Sequence, residues 1–147
     1  MARAVGDVFV NSQNLYQVKT RIRTIDNWVS IPGNMVMADS SGNIAYALFS
    51  SVPKRKNSYP YLGNRVLDGQ TSKHDWDGVV DMINLPFVIN PEKGYFATAN
   101  GRIVPENSKF DFGASMVATA RSQRIKELIE EGIKSGKKFD HKDMVDW

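Results

Sequence analysis

Apolar residues fall along this chain in three different rhythms. Through the first 25 residues Val5, Val8, Phe9, Leu15, Val18, Ile22 and Ile25 recur at mixed three- and four-residue spacing, which favours helix, and the polar stretch 11–14 interrupts it. Next, Met35-Val36-Met37 and Ile44–Phe49 flank Asp39-Ser40-Ser41-Gly42-Asn43. Two apolar runs around such a cluster predict a β-hairpin, with Gly42 free to take positive φ. Both runs are apolar at nearly every position, so both faces of the strand pair are expected to be covered. From 50 to 78 no period is sustained, and a long structured loop is expected, with Tyr59, Tyr61 and Leu62 packing and Asp75-Trp76-Asp77-Gly78 forming a turn anchored by Trp76.

Pro86–Pro91 is a short apolar stretch bounded by prolines, Glu92-Lys93-Gly94 a turn, and Tyr95–Ala99 a predicted strand ending at Asn100-Gly101. The helical rhythm then returns. Ile125, Leu128, Ile129 and Ile133 share one face of a helix predicted near Arg121–Ser135, with Gly136 as its C-cap glycine. Asp140 is placed to N-cap a further helix that carries Met144, Val145 and Trp147. The sequence stops on those apolar residues, less than two turns into that helix, which reads as a piece of a larger fold. The predicted class is α+β.

Composition narrows the possibilities. The 147 residues are 41% hydrophobic and 24% charged, ordinary values for a globular chain, and the length suits one domain or part of one. No window approaches the ~18 uninterrupted apolar residues of a membrane helix, so no membrane partner is expected, and the compartment is left open. The net charge of +3 is spread evenly along the chain, which argues against a dedicated nucleic-acid surface. Lys54-Arg55-Lys56 reads as a solvated loop. Cysteine is absent, which excludes a disulfide framework, a thiolate metal site and a Cys nucleophile. The two histidines, His74 and His141, read as surface or capping residues. Asp39–Asn43 lacks the alternating carboxylates and closing Glu of a calcium loop. Asn100 ends its predicted strand beside Gly101, where a side-chain amide either completes the turn or donates hydrogen bonds into a cleft.

The run Pro32-Gly33-Asn34-Met35-Val36-Met37-Ala38-Asp39-Ser40-Ser41-Gly42-Asn43-Ile44-Ala45-Tyr46 resembles the penicillin amidase (penicillin acylase) family of N-terminal nucleophile hydrolases. Later segments resemble that family in the same order: Pro53-Lys54-Arg55, Tyr59-Pro60-Tyr61-Leu62-Gly63, Asp75-Trp76-Asp77-Gly78, and Asn90-Pro91-Glu92-Lys93-Gly94-Tyr95 with Ala97-Thr98-Ala99-Asn100. Arg102-Ile103-Val104-Pro105-Glu106 and Arg121-Ser122-Gln123-Arg124-Ile125 close the series. The resemblance implies part of a four-layer αββα fold, with residues 1–147 a partial β-chain segment. It implies hydrolysis of linear amides, of the penicillin or acyl-homoserine-lactone type, through an acyl-enzyme formed on an N-terminal Ser. It also implies that Asn100 is similar to the Asn that stabilises the oxyanion, and that Arg124 corresponds to an active-site Arg.

There are departures. Gly101 stands where the family commonly has Asn, and Met1 and Ala2 offer no hydroxyl or thiol. The chain alone is therefore expected to be inactive, with the remaining α- and β-chain segments of a parent enzyme and a small-molecule amide as its partners. No cofactor is expected in this chain. The family often binds a structural calcium, through a Pro similar to Pro60 and an acid aligning loosely with Asp111. The competing reading is a stand-alone non-catalytic binding module that retains part of the fold.

Overall fold

The computed structural model describes residues 2–25, 33–56, 66–101 and 119–145. The described residues divide into two compact units, one holding 2–25, 33–56 and 66–96, the other 97–101 and 119–145.

The first unit is helical at its start and then forms a sheet. Helices α1 (Ala2–Val10) and α2 (Leu15–Ile22) are separated where the polar stretch 11–14 interrupts the apolar rhythm. Asn14 makes that break a helix start, because its side-chain oxygen accepts from the Gln17 N–H. Strands β1 (Gly33–Ala38), β2 (Ile44–Phe49) and β3 (Phe87–Ile89) form an antiparallel sheet in the order β1-β2-β3. Val36 pairs with Tyr46 and Tyr46 with Val88, while Met35 and Phe87 both flank Ala47.

Alternation along the strands then decides what is buried. Met35, Met37, Ala47, Phe49 and Phe87 lie on the face that packs with Val8, Phe9, Val18, Ile22 and Met82 as one core. The central strand β2 is buried on both faces from Ala45 to Phe49, and Tyr46 rests on the Phe96 ring at 5.9 Å between centroids. The edge strand β1 is covered on one face only: Asn34, Val36 and Ala38 are exposed. The expectation of cover on both faces therefore holds for β2 and fails for β1, which lies at the edge of the sheet, where no further described strand flanks it.

The hairpin turn has the predicted chemistry. Gly42 has φ +84°. The Asp39 carboxylate accepts from the Ser41 and Asn43 backbone N–H groups, from the Asn43 side-chain amide and from the Leu15 N–H. The stretch 52–54 runs against 77–80 through a Pro53–Val79 bridge, with Val80 N–H donating to Val52 O at 2.8 Å and Lys54 N–H to Gly78 O at 2.9 Å. Val52 and Val80 are buried there while Trp76 is 58% exposed. Backbone pairing, not the Trp76 ring, anchors this segment. Tyr59, Tyr61 and Leu62 lie outside the described residues.

The second unit contains α3 (Ala120–Lys134) and α4 (His141–Val145). Ile129 is the buried apolar residue of α3, and Gly136 takes φ +73° just past its end, as predicted. Asp140 caps α4 by accepting from Lys142 and Asp143 N–H. Residues 95–99 are not a strand. A strand requires a ladder partner, and no described strand lies beside them; β1 and β3 already occupy both edges of β2. The observed content, mixed helix with a small antiparallel sheet, is compatible with α+β.

Candidate functional site

Asn100 has φ +59°, a left-handed conformation that Asn tolerates better than most residues. This reverses the chain after buried Ala99 and leaves Asn100 exposed. Gly101 comes next, in tight contact with α3: a Cβ built on it would lie 3.0 Å from Ser122 Oγ. A side chain at 101 would therefore require Ser122 to give way by a few tenths of an ångström.

The start of α3 is fastened to the same turn. Thr119 Oγ1 accepts from the Ser122 N–H at 3.1 Å and donates to Ala99 O at 2.8 Å. Ser122 Oγ in turn accepts from the Thr119 N–H and donates to Thr119 O, completing a capping box. Ser122 is buried. The cap fixes where the helix begins and so places Arg121 in its first turn. From there Arg121 Nη2 donates to Asn100 Oδ1 at 2.6 Å.

This one bond orients the Asn100 amide. A guanidinium has only donors, so the atom facing it must be the carbonyl oxygen. The Nδ2 amino group therefore points the other way, with no acceptor among the described residues. A cation in the first turn of a helix opposes the helix dipole, so Arg121 gains nothing from the helix it starts and finds its partner in Asn100. The arrangement is an exposed amide donor backed by a fixed positive charge, suited to an oxygen that gains negative charge during a reaction.

Arg124, the arginine singled out in the sequence, is placed differently. It pairs with Glu127 at 3.4 Å across one turn of α3, both side chains being substantially exposed. No hydrogen bond joins it to Asn100 among the described bonds. Arg121 is the arginine that donates to the Asn100 amide, whereas the family resemblance pointed to Arg124, in the Arg-Ile pair. The available signal was Thr119-Ala120-Arg121-Ser122: Thr at the cap and Ser three residues later locate the helix start, and a basic residue succeeds the cap where the dipole disfavours one.

The other candidate residues belong to other elements. His74 lies in a short 3-10 turn and His141 opens α4. A cavity of about 340 Å³ in the first unit, lined in part by Phe9, Leu15, Val18, Met37 and Asp39, contains none of the predicted site residues. Among the described residues no group of three or more His, Asp or Glu side chains is clustered to hold a metal ion. The Asp39 carboxylate, the acidic group of the hairpin turn, is already saturated by Leu15, Ser41 and Asn43. Pro60 and Asp111 lie outside the described residues, as does Arg102–Glu106. Among the described residues no helix is long and apolar enough to cross a membrane.

Comparison with known proteins decides the family. The model of the penicillin amidase family matches residues 6–147. The chain belongs to the penicillin amidase family. It is 31% identical over 126 residues to an acyl-homoserine lactone acylase QuiP of Pseudomonas syringae, covering 86% of this chain and 15% of that protein. The QuiP acylase of Pseudomonas aeruginosa is 31% identical over 99 residues, covering 67% of this chain and 11% of its own length. A penicillin acylase 2 proenzyme of a Pseudomonas species is 29% identical over 102 residues, covering 69% of this chain and 13% of that protein. The chain thus spans about 15% or less of the length of these relatives. The family is one of acylases, and hydrolase and acylase chemistry is its common ground.

Proposed function

We propose that this chain is part of a longer amide hydrolase of the acylase type, in which Asn100 donates Nδ2–H to the oxyanion of the tetrahedral intermediate. Arg121 is the residue that positions it. The substrate class is a linear amide, for which the acyl-homoserine lactone and penicillin acylases among the relatives are the guides. The fold completed by the rest of the enzyme is the four-layer αββα arrangement that the family implies, and the nucleophile is a Ser supplied by a segment other than this one.

The carrying observation is the 2.6 Å bond from Arg121 to Asn100 Oδ1. As the nucleophile adds to the amide carbonyl, its oxygen becomes an anion. A donor already aimed and held stabilises that charge without reorganising at the moment of reaction. The guanidinium behind it polarises the Asn100 amide and makes Nδ2–H a stronger donor. When the C–N bond breaks, the amine leaves with a proton, the carbonyl re-forms as an acyl-enzyme, and attack by water repeats the sequence.

The test is Asn100→Ala in the protein at its full natural length. kcat on a linear acyl amide should fall by roughly 10²–10³, the size of one oxyanion donor, with the folded state retained. An unchanged kcat would reduce Asn100 to a turn residue and overturn the proposal.

A further inference from the structure

Asn100 is the only asparagine in the sequence with glycine as its next residue. An Asn–Gly pair carries its own chemistry, since the amide nitrogen of the second residue can attack the side-chain carbonyl of the first. The usual obstacle is the side chain of that second residue, which shields its nitrogen, and Gly101 has none. Asn100 is exposed to water. The Gly101 N–H has no acceptor among the described residues, so no hydrogen bond to them need break before it reacts. Arg121 adds a further element, because its guanidinium donates to the oxygen that would become anionic during the attack.

We propose that Asn100 is a site of spontaneous deamidation, closed by the Gly101 nitrogen and promoted by Arg121. The Gly101 nitrogen gives up its proton and bonds to Asn100 Cγ, forming a tetrahedral centre whose oxygen faces the guanidinium. The Cγ–Nδ2 bond then breaks and ammonia leaves, carrying a proton. The resulting succinimide adds one water at either carbonyl, giving aspartate or isoaspartate at position 100. The balance is one water consumed and one ammonia released, with no oxidant or reductant.

The guanidinium that positions the Asn100 amide for an oxyanion of substrate thus also faces an oxyanion made from Asn100 itself. The consequence for activity rests on the proposed role of Asn100: a carboxylate there is an acceptor only, and it brings negative charge to the place where negative charge must develop. Conversion therefore acts as a clock on the lifetime of the active enzyme.

The experiment uses the protein at its full natural length, folded and incubated at mildly alkaline pH, with peptide mass mapping and isoaspartate detection over time. The peptide carrying Asn100 should gain the mass of amide-to-acid conversion before any other Asn peptide of this chain does. Arg121→Met, an exchange on an exposed face, should slow that conversion about tenfold, the rate equivalent of one charge-assisted hydrogen bond. Asn100 persisting as amide while other asparagines convert would overturn the site. An unchanged rate in Arg121→Met would overturn the promoting role of the guanidinium. Activity measured on the same samples separates the two proposals: conversion without loss of kcat leaves the modification site standing and removes Asn100 from the catalytic machinery.

Discussion

Thr119 joins the helix to the turn, so its removal should be felt in both. Thr119→Ala deletes the N-cap acceptor for the Ser122 N–H and the donor to Ala99 O. An N-cap is worth about 1 kcal/mol, and a neutral hydrogen bond of the second kind contributes about 1 kcal/mol more. The first turn of α3 should therefore open more easily by ~2 kcal/mol, which raises local opening roughly 30-fold. Amide hydrogen exchange at Ser122 and Gln123 reads this directly, whatever the size of the whole protein. Thr119→Ser keeps the oxygen and should stay within about 0.5 kcal/mol of the parent. Because the same hydroxyl holds α3 against the 99–101 turn, Thr119→Ala should also lower kcat while Thr119→Ser does not. Exchange in Thr119→Ala no faster than in Thr119→Ser would refute this account of how Arg121 comes to lie against Asn100.

Other outcomes are expected from the same structure. Arg124→Met should leave kcat unchanged and alter stability by less than about 0.5 kcal/mol, since an exposed pair at this spacing contributes little; a large kcat loss in steady-state assays would return the role to Arg124. Ala47→Leu, placed in the core between Phe49, Val18 and Ile22, should destabilise by about 1–3 kcal/mol through overpacking, and an unchanged urea midpoint would contradict it. The Asn43 side-chain amide, with lesser help from the N–H groups of Asn43, Leu15 and Ser41, holds the Asp39 carboxyl below its ordinary value of 3.8. A carboxyl depressed on folding stabilises above its unfolded pKa, and that stability is lost as pH falls through the folded value. Asp39→Asn should therefore flatten the acid limb of a pH–stability profile, and an identical limb would show that Asp39 does not contribute to it.

Much of the fold was legible because it is written in local chemistry. The hairpin comes from Asp39–Asn43 with Gly42, α3 from its apolar face and Gly136, and α4 from Asp140, each being a contact within a few residues. The illegible parts depended on distant partners. Tyr95–Ala99 has strand-like residues, but being a strand depends on whether another lies alongside. Trp76 has the bulk of an anchor, yet the backbone pairing of 52–54 with 77–80 does that work instead. The candidate site divides in the same way. Asn100 was visible from its family motif and its place before glycine. Arg121 and Arg124 are three residues apart and fall on similar sides of a helix, so spacing cannot separate them. In the folded chain Arg121 is the one that donates to Asn100 Oδ1, while Arg124 pairs with Glu127.

The most direct test is a double-mutant cycle on Asn100 and Arg121 in the protein at its full natural length, read as kcat on a linear acyl amide. Arg121→Met alone should cost roughly 10–10²-fold, the worth of one hydrogen bond from a charged group, and Asn100→Ala alone roughly 10²–10³-fold. If Arg121 acts through the Asn100 amide, the double variant is no slower than Asn100→Ala by itself. Losses that simply multiply would mean that the two residues act independently, and would contradict the account.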